Sequence, residues 1–447
     1  MTEASVGSRL VHIRSFPSKS LGNERGLTIY LPPQYDAHQE RRYPVLYLHD
    51  GQQVFESSPF SGSSWHLRET TDQLIASGRI QPIIMVGIYN QGLERLNEFA
   101  HPTGESGIEG ASDIDCRGER YEQFLVHELK PYIDQSFRTL SGREHTALLG
   151  SSMGGLITYH IGFRNPDVFS MLGMMSPYFI RLDLNSMREI AFYNKLPYRK
   201  DMLVWMDIGE AEANILVRHV RSVAEELIGD GFVPGQNLMY YEVPGAAHTE
   251  SDWAFRVKCP LLYFFGEVGK PVSVELYGRK VLGLMGMTVK ANPVVTFDSG
   301  FVMTSLSGAY TVRDAGLLTV GTDGTIVPHE LGDTEITHSQ GAVSCKSKYA
   351  IIPRLEAYVR LHLQISVPKE TKTNGFVFVG RLAVPLISEQ VYGGIFSLPR
   401  DIVFRFKITT DTGIHESNST GTTRSYRMLR VDEDMEVQYE VEAWEKR

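Results

Sequence analysis

Thr146-Ala-Leu-Leu-Gly150-Ser-Ser152-Met-Gly154-Gly155 is the stretch on which the reading of this chain turns. A short β-like run meets Gly-x-Ser-x-Gly and continues into a segment with helical period, Met153 to Arg164, so the spacing predicts a strand, a tight turn and a helix. Small residues at 150 and 154 suit a turn too tight for larger side chains. The strain of such a turn holds the hydroxyl of Ser152 out at the top of the sheet. The Met153 N–H then lies at a helix N-terminus, where backbone donors lack intrahelical acceptors and an anion is stabilised. Ser152 is the candidate nucleophile and Met153 a candidate oxyanion donor.

Outward from that turn, apolar β-branched runs alternate with helical stretches as far as about Glu267. Strands are predicted at Leu27 to Leu31, Val45 to Leu48, Ile83 to Ile88, Thr146 to Leu149, Leu203 to Ile208 and Met239 to Val243. Helices are predicted at Trp65 to Ser77, Glu119 to Gln135, Met153 to Arg164, Ile215 to Ile228 and Trp253 to Phe265. This order predicts an α/β fold, a mostly parallel sheet with helices on both faces, whose ligands bind at the carboxyl ends of the strands. After about Lys270 the helical period gives way to short alternating segments broken by Gly, Pro, Asp and Asn, an all-β pattern. With a seam at Ile351-Ile352-Pro353-Arg354, the expected division is 1–268 for the α/β domain, then two small β-sandwiches at 269–353 and 354–447.

A serine nucleophile needs a base, and on such a sheet the chain order is serine, acid, histidine. His248 stands in Val243-Pro-Gly-Ala-Ala-His248-Thr-Glu-Ser-Asp-Trp253, after the last predicted strand of the α/β domain and before its last helix. The acid is expected after Leu203-Val-Trp-Met-Asp-Ile208, where Asp207, Glu210 and Glu212 could each approach His248. Glu212 is preferred, then Glu210, although carboxylates also favour a helix start for its own sake. A second oxyanion donor is expected from the loop Tyr47-Leu-His-Asp50-Gly51-Gln52, where Gly51 permits close backbone approach and the Gln52 N–H is the candidate. Trp65, Arg95, Glu98 and Tyr178 are candidate pocket residues, and Gly104 to Arg120, rich in Gly, Ser and Asp, is a candidate mobile loop beside the cleft.

These pieces, taken in order, resemble the esterase D or enterochelin-esterase-like group of α/β-hydrolases, which also contains feruloyl and acetyl xylan esterases. The resemblance rests on Leu27-Thr-Ile-Tyr-Leu-Pro-Pro-Gln-Tyr35, Tyr43 to Gln52, Met85-Val-Gly-Ile-Tyr-Asn90, Arg95-Leu-Asn-Glu-Phe99, Glu128 to Asp134, Gly150 to Gly154 and the His248 loop. It implies Ser152 and His248 as catalytic and an acid three residues after a glycine, which Glu212 satisfies with Gly209. Further on, Leu317 to Ile336 is similar to a bacterial immunoglobulin-like group 2 repeat. Val367-Pro-Lys, Phe376 to Gly380, Phe396 to Arg400, Phe404 to Lys407 and Val441 to Trp444 resemble a starch-binding carbohydrate module. The Asn-Trp pair of a sugar-stacking platform is missing between Gly380 and Glu389, which favours a packing or homodimer-forming sandwich.

The 447 residues carry 44 Lys and Arg against 53 Asp and Glu, a net charge of −9, with no basic cluster, so a nucleic-acid partner is not expected. The amino terminus lacks the apolar core of a secretory signal and no apolar run approaches the ~20 residues of a membrane span. Cys116, Cys259 and Cys345 show no Cys-x-x-Cys spacing, and a reduced, cytoplasmic chain is the expectation. Asp323-Gly324 reads as a hairpin turn and not a calcium loop. No nucleotide motif and no metal cluster is found, so no cofactor is expected. The expected function is a serine carboxylesterase acting on feruloyl- or acetyl-type sugar esters or small-molecule esters. A siderophore trilactone esterase is the alternative within the enzyme class, and a non-catalytic carbohydrate-binding or scaffold protein the alternative outside it.

Overall fold

Val45 to Leu48 shows how the sheet is made: an unbroken apolar run has no polar face to offer water, so it can only be a strand covered on both sides. Val45 and Tyr47 belong to one buried core and Leu46 and Leu48 to another, as the two-residue period of a strand requires. The computed structural model describes residues 7–56, 64–103, 114–183, 188–212, 214–380, 382–422 and 424–445. In chain order the strands up to residue 304 are β1 (Arg9–Ser18), β2 (Asn23–Leu31), β3 (Val45–His49), β4 (Ile84–Ile88), β5 (Thr146–Ser151), β6 (Met171–Met175), a separate hairpin of β7 (Ile180–Asp183) and β8 (Arg188–Ala191), β9 (Leu203–Gly209), β10 (Leu238–Val243), β11 (Pro271–Tyr277), β12 (Val281–Gly286), β13 (Val289–Lys290), β14 (Asn292–Phe297) and β15 (Val302–Thr304).

Among the described residues the central sheet has eleven strands in the order β1-β2-β4-β3-β5-β6-β9-β10-β15-β14-β11. The run from β4 to β10 is parallel and both flanks are antiparallel. The helices are α1 (Leu67–Ala76), α2 (Arg95–Glu98), α3 (Gly118–Gln123), α4 (Lys130–Ser136), α5 (Met153–Arg164), α6 (Asn214–Gly229), α7 (Glu250–Arg256) and α8 (Lys258–Phe265). Tyr121, Ile133, Leu156 and Val220 from α3 to α6 pack on one face of the sheet, and Leu67, Trp253 and Leu261 from α1, α7 and α8 on the other. The mostly parallel α/β-hydrolase sheet covered on both faces and the β-rich remainder are therefore as expected. No helix among the described residues is long and apolar enough to cross a membrane.

Details differ where local pattern is silent. The helix predicted over Glu119 to Gln135 passes through a π-helical stretch, Phe124–Leu129, and the one predicted over Trp253 to Phe265 divides at Val257. Strand β6, Met-Leu-Gly-Met-Met, has no β-branched residue to announce it.

The expected boundary at 268/269 does not fall at an edge of the sheet. Thr304 of β15 pairs with Tyr240 of β10, and β14 and β11 follow outward, while Val295, Phe297, Phe301 and Met303 share a core with Trp205. A two-residue apolar period reads the same whether a strand joins its own sandwich or the flank of an older sheet. The seam expected at Ile351 to Arg354 lies inside the strand Val343–Leu355, which pairs with β12 and with Gly332–Gln340. Asp323 and Gly324 do form a turn, between the paired strands Leu318–Val320 and Thr325–Pro328. Beyond Leu355, a six-stranded sheet and the ribbon of Ile402–Phe406 with Arg427–Val431 enclose a core of Leu361, Leu363, Val377, Phe406 and Val431.

Candidate active site

Ser152 sits between β5 and α5 with φ 58° and ψ −123°, a conformation that costs a non-glycine residue ~1–3 kcal/mol. Its surroundings hold it there. Its N–H donates to the Met175 carbonyl at 3.0 Å, and its own carbonyl accepts from Tyr178 at 3.1 Å and from Gly155 at 3.0 Å. A Cβ at position 150 would lie 2.5 Å from the Gly154 carbonyl oxygen, so the first glycine of Gly-x-Ser-x-Gly is required by contact with the second. Met153 opens α5, and its N–H has no carbonyl one turn back to bind.

His248 lies in the loop between β10 and α7, with Nδ1 2.7 Å from Oε2 of Glu212. A carboxylate there fixes the proton on Nδ1 and leaves Nε2 as the basic nitrogen. The edge of the ring packs on Trp253 at 4.9 Å and 79°. The Glu212 side chain is fully buried, and its other oxygen accepts from Ser176 Oγ at 2.6 Å and the Gly209 N–H at 2.8 Å. Burial pushes this carboxyl up, but the His248 hydrogen bond and the charge of Arg256 outweigh it, and its pKa is held below the ordinary value. Glu210 does not reach the histidine: it accepts from the Gly245 N–H at 2.9 Å and pairs with Arg430 at 2.7 Å. Asp207 is fully buried against Trp205 Nε1 at 2.7 Å and Arg256 Nε at 2.9 Å, and burial raises its pKa.

Arg256 and Ser176 are the residues that sequence reasoning missed. The Arg256 guanidinium, almost wholly buried, bonds Asp207 at 2.9 Å, Ser176 Oγ at 2.6 Å and Glu212 at 3.4 Å. One cation thus balances two buried carboxylates. Replacing Arg256 with methionine should cost about 3–5 kcal/mol in urea unfolding, because both acids lose their counter-charge. The double variant with Asp207→Asn should recover part of that loss. An Arg256→Met chain as stable as wild type would remove the guanidinium from this account.

The remaining sequence candidates separate. Arg95 and Tyr178 line a cleft of about 720 Å³ together with Ser152, Met153, Glu212 and His248. Arg95 is held by Asp50, to whose two carboxylate oxygens it bonds at 2.6 and 2.8 Å. Trp65 and Glu98 do not line it. Trp65 is buried in the core behind His248, 5.8 Å from the Trp253 ring, because so large an apolar surface is driven inward. Glu98 is buried in a two-point pair with Arg25 at 3.0 and 3.1 Å, a charge already neutralised within the fold. Gln52 lies in a tight turn after β3 and is not among the cleft-lining residues; its side-chain oxygen accepts from the Asn90 N–H at 3.2 Å. A Cβ at Gly51 would lie 2.2 Å from the Gly87 carbonyl carbon, so only glycine fits against the neighbouring strand there. Of the expected mobile loop, 104–113 lies outside the described residues, and Ile114 lines the cleft. The cleft also includes Phe192 and, from the far end of the chain, Ile402 to Arg405.

The family described as "Putative esterase" matches residues 18–258. A curated relative, the endo-1,4-beta-xylanase/feruloyl esterase of Xylanibacter ruminicola, is 36% identical over 166 residues, 36% of this chain. That match spans only 21% of the relative's own length. The uncharacterised protein YjcH of Bacillus subtilis is 23% identical over 49% of this chain and 86% of its own. Among solved structures, a ferulic acid esterase from Anaeromyces mucronatus is similar at 22% identity and a TM-score of 0.42, over 60% of this chain and 93% of that one. The enterobactin esterase of Shigella flexneri is similar at 15% identity and 0.44, over 57% and 58%.

Proposed function

This chain belongs to the putative esterase family, and from that premise we propose that it hydrolyses carboxylic esters through an acyl-enzyme on Ser152. The observation that carries the reading is a strained serine at a strand-to-helix turn, in one cleft with a histidine whose Nδ1 is bonded to a buried, ionised glutamate. In the proposed reaction His248 Nε2 takes the Ser152 proton as Oγ attacks the ester carbonyl. Glu212 holds the ring and stabilises the imidazolium without accepting its proton. The Met153 N–H, and that of Gln52 as the second donor, would hold the tetrahedral oxyanion, each worth ~3 kcal/mol in the transition state. His248 then protonates the departing alcohol, and water enters by the same route to release the acid.

For the substrate, Tyr178 and Phe192 in the cleft suit a flat apolar acyl group. The similar xylanase/feruloyl esterase points to the same chemistry, an aryl ester of the feruloyl type. The test is a fluorophosphonate probe, in which Ser152 Oγ would displace fluoride at phosphorus. The wild-type chain should be labelled once, on the peptide containing Ser152, and an aryl ester should compete. Failure to label near neutral pH would favour the scaffold reading.

A further inference from the structure

The cleft over Ser152 is not built by the esterase region alone. Strand Ile402–Phe406, from the β region beyond Leu355, contributes to its lining. On this strand Ile402, Phe404 and Phe406 share one face and pack against the core of the last β region, Phe406 fully buried and the other two partly, while Val403 on the opposite face is buried outside that core; Ile402, Val403, Phe404 and Arg405 all border the cavity. Its placement is fixed from three sides. Arg405 pairs with Asp252 in the first turn of α7, directly after the His248 loop. Arg430, on the paired strand, bonds Glu210 at 2.7 Å, two residues before Glu212. Asp401, at the entry to the strand, receives two hydrogen bonds of 2.8 Å from Arg279, between β11 and β12. Two of these pairs grip the loops that carry His248 and Glu212, so the strand is tied to the reacting groups themselves.

We propose that this strand is part of the substrate site, with Phe404 as the residue that selects among esters by the size and aromaticity of one of their two halves. The inference rests on the ester-hydrolase reading above. An aromatic ring at a cleft wall gains apolar area and edge-to-face contact with an aryl acyl group where an acetyl gains little, and more with a naphthyl than with a phenyl leaving group. Discrimination of this kind appears in kcat/KM and not in a uniform change of all rates.

The test uses the full chain with Phe404→Ala and Phe404→Leu, and two substrate pairs. p-Nitrophenyl benzoate against p-nitrophenyl acetate varies the acyl half, and 1-naphthyl acetate against phenyl acetate varies the leaving half. The ratio of kcat/KM within a pair is taken from one preparation, so an unfolded fraction cancels. In Phe404→Ala at least one ratio should fall fivefold or more relative to wild type, with Phe404→Leu shifted the same way; the pair that moves identifies the half of the ester that Phe404 meets. Both ratios within fivefold of wild type would overturn the proposal while leaving the esterase reading intact. A wild-type chain with no Ser152-dependent hydrolysis of any of the four esters would overturn both.

Discussion

Ser152→Ala is expected to lower kcat for p-nitrophenyl acetate by roughly 10⁴-fold or more while the chain remains folded. The size follows from what alanine removes: the whole acyl-enzyme route is lost, and only water attack assisted by the oxyanion donors remains. The companion variant Ser152→Gly separates chemistry from stability. At φ 58° and ψ −123° a Cβ is a burden, so glycine should be as inactive as alanine yet unfold at a higher temperature, by about 1 °C for each kcal/mol of strain relieved in a chain of this length. Both rates are measured by steady-state hydrolysis and both stabilities by thermal unfolding. Turnover undiminished in Ser152→Ala would sink the assignment of the nucleophile. A glycine variant no more stable than wild type would mean that the strain is met by other contacts.

Glu212→Gln is the second large effect expected, a fall of about 10³–10⁴-fold in kcat, against a change within a few-fold for Glu210→Gln. Glutamine is nearly isosteric with glutamate, but its amide cannot stabilise the imidazolium and lets His248 settle in the wrong tautomer. It also leaves Arg256 with one buried carboxylate where there were two. Glu210 touches neither the His248 ring nor the Arg256 guanidinium, so its amide variant loses only the charge of the Arg430 pair, partly exposed and correspondingly weak. Equal, small losses in the two variants would exclude both from the chemistry.

The contrast between these two glutamates also marks how far sequence alone reaches. The turn at Gly150 to Gly154 was legible because its demand is local: a Cβ at position 150 would fall 2.5 Å from the Gly154 carbonyl oxygen whatever the rest of the fold does. The parallel sheet was legible for the same kind of reason, in the unbroken apolar runs of β3 and β4. Glu210 and Glu212 stand two residues apart on one loop, and local pattern left both open. What separates them is remote: Arg430 draws Glu210 away, and Arg256 with Ser176 gathers round Glu212. Arg256 itself reads in sequence as an ordinary solvated helix position, and nothing near it announces two buried acids. Trp65 and Glu98 failed as pocket residues for a related reason. Each is held by remote groups, Trp65 packed on Trp253 and Glu98 bonded to Arg25 and Asn23, that composition cannot pair with it.

Strands β11, β14 and β15 finish the sheet on the β10 side, and they lie after every proposed catalytic residue in the chain. During synthesis the serine, the glutamate and the histidine therefore all emerge while the flank of β10 still shows unpaired backbone groups and the Trp205 face lacks Phe297, Phe301 and Met303. The chemistry is encoded by residue 248, but its platform is closed only when residue 304 has arrived. A fragment ending at 268 would keep each proposed reactive group and lose the strands that cover their sheet, an open edge of the kind that invites pairing with another chain.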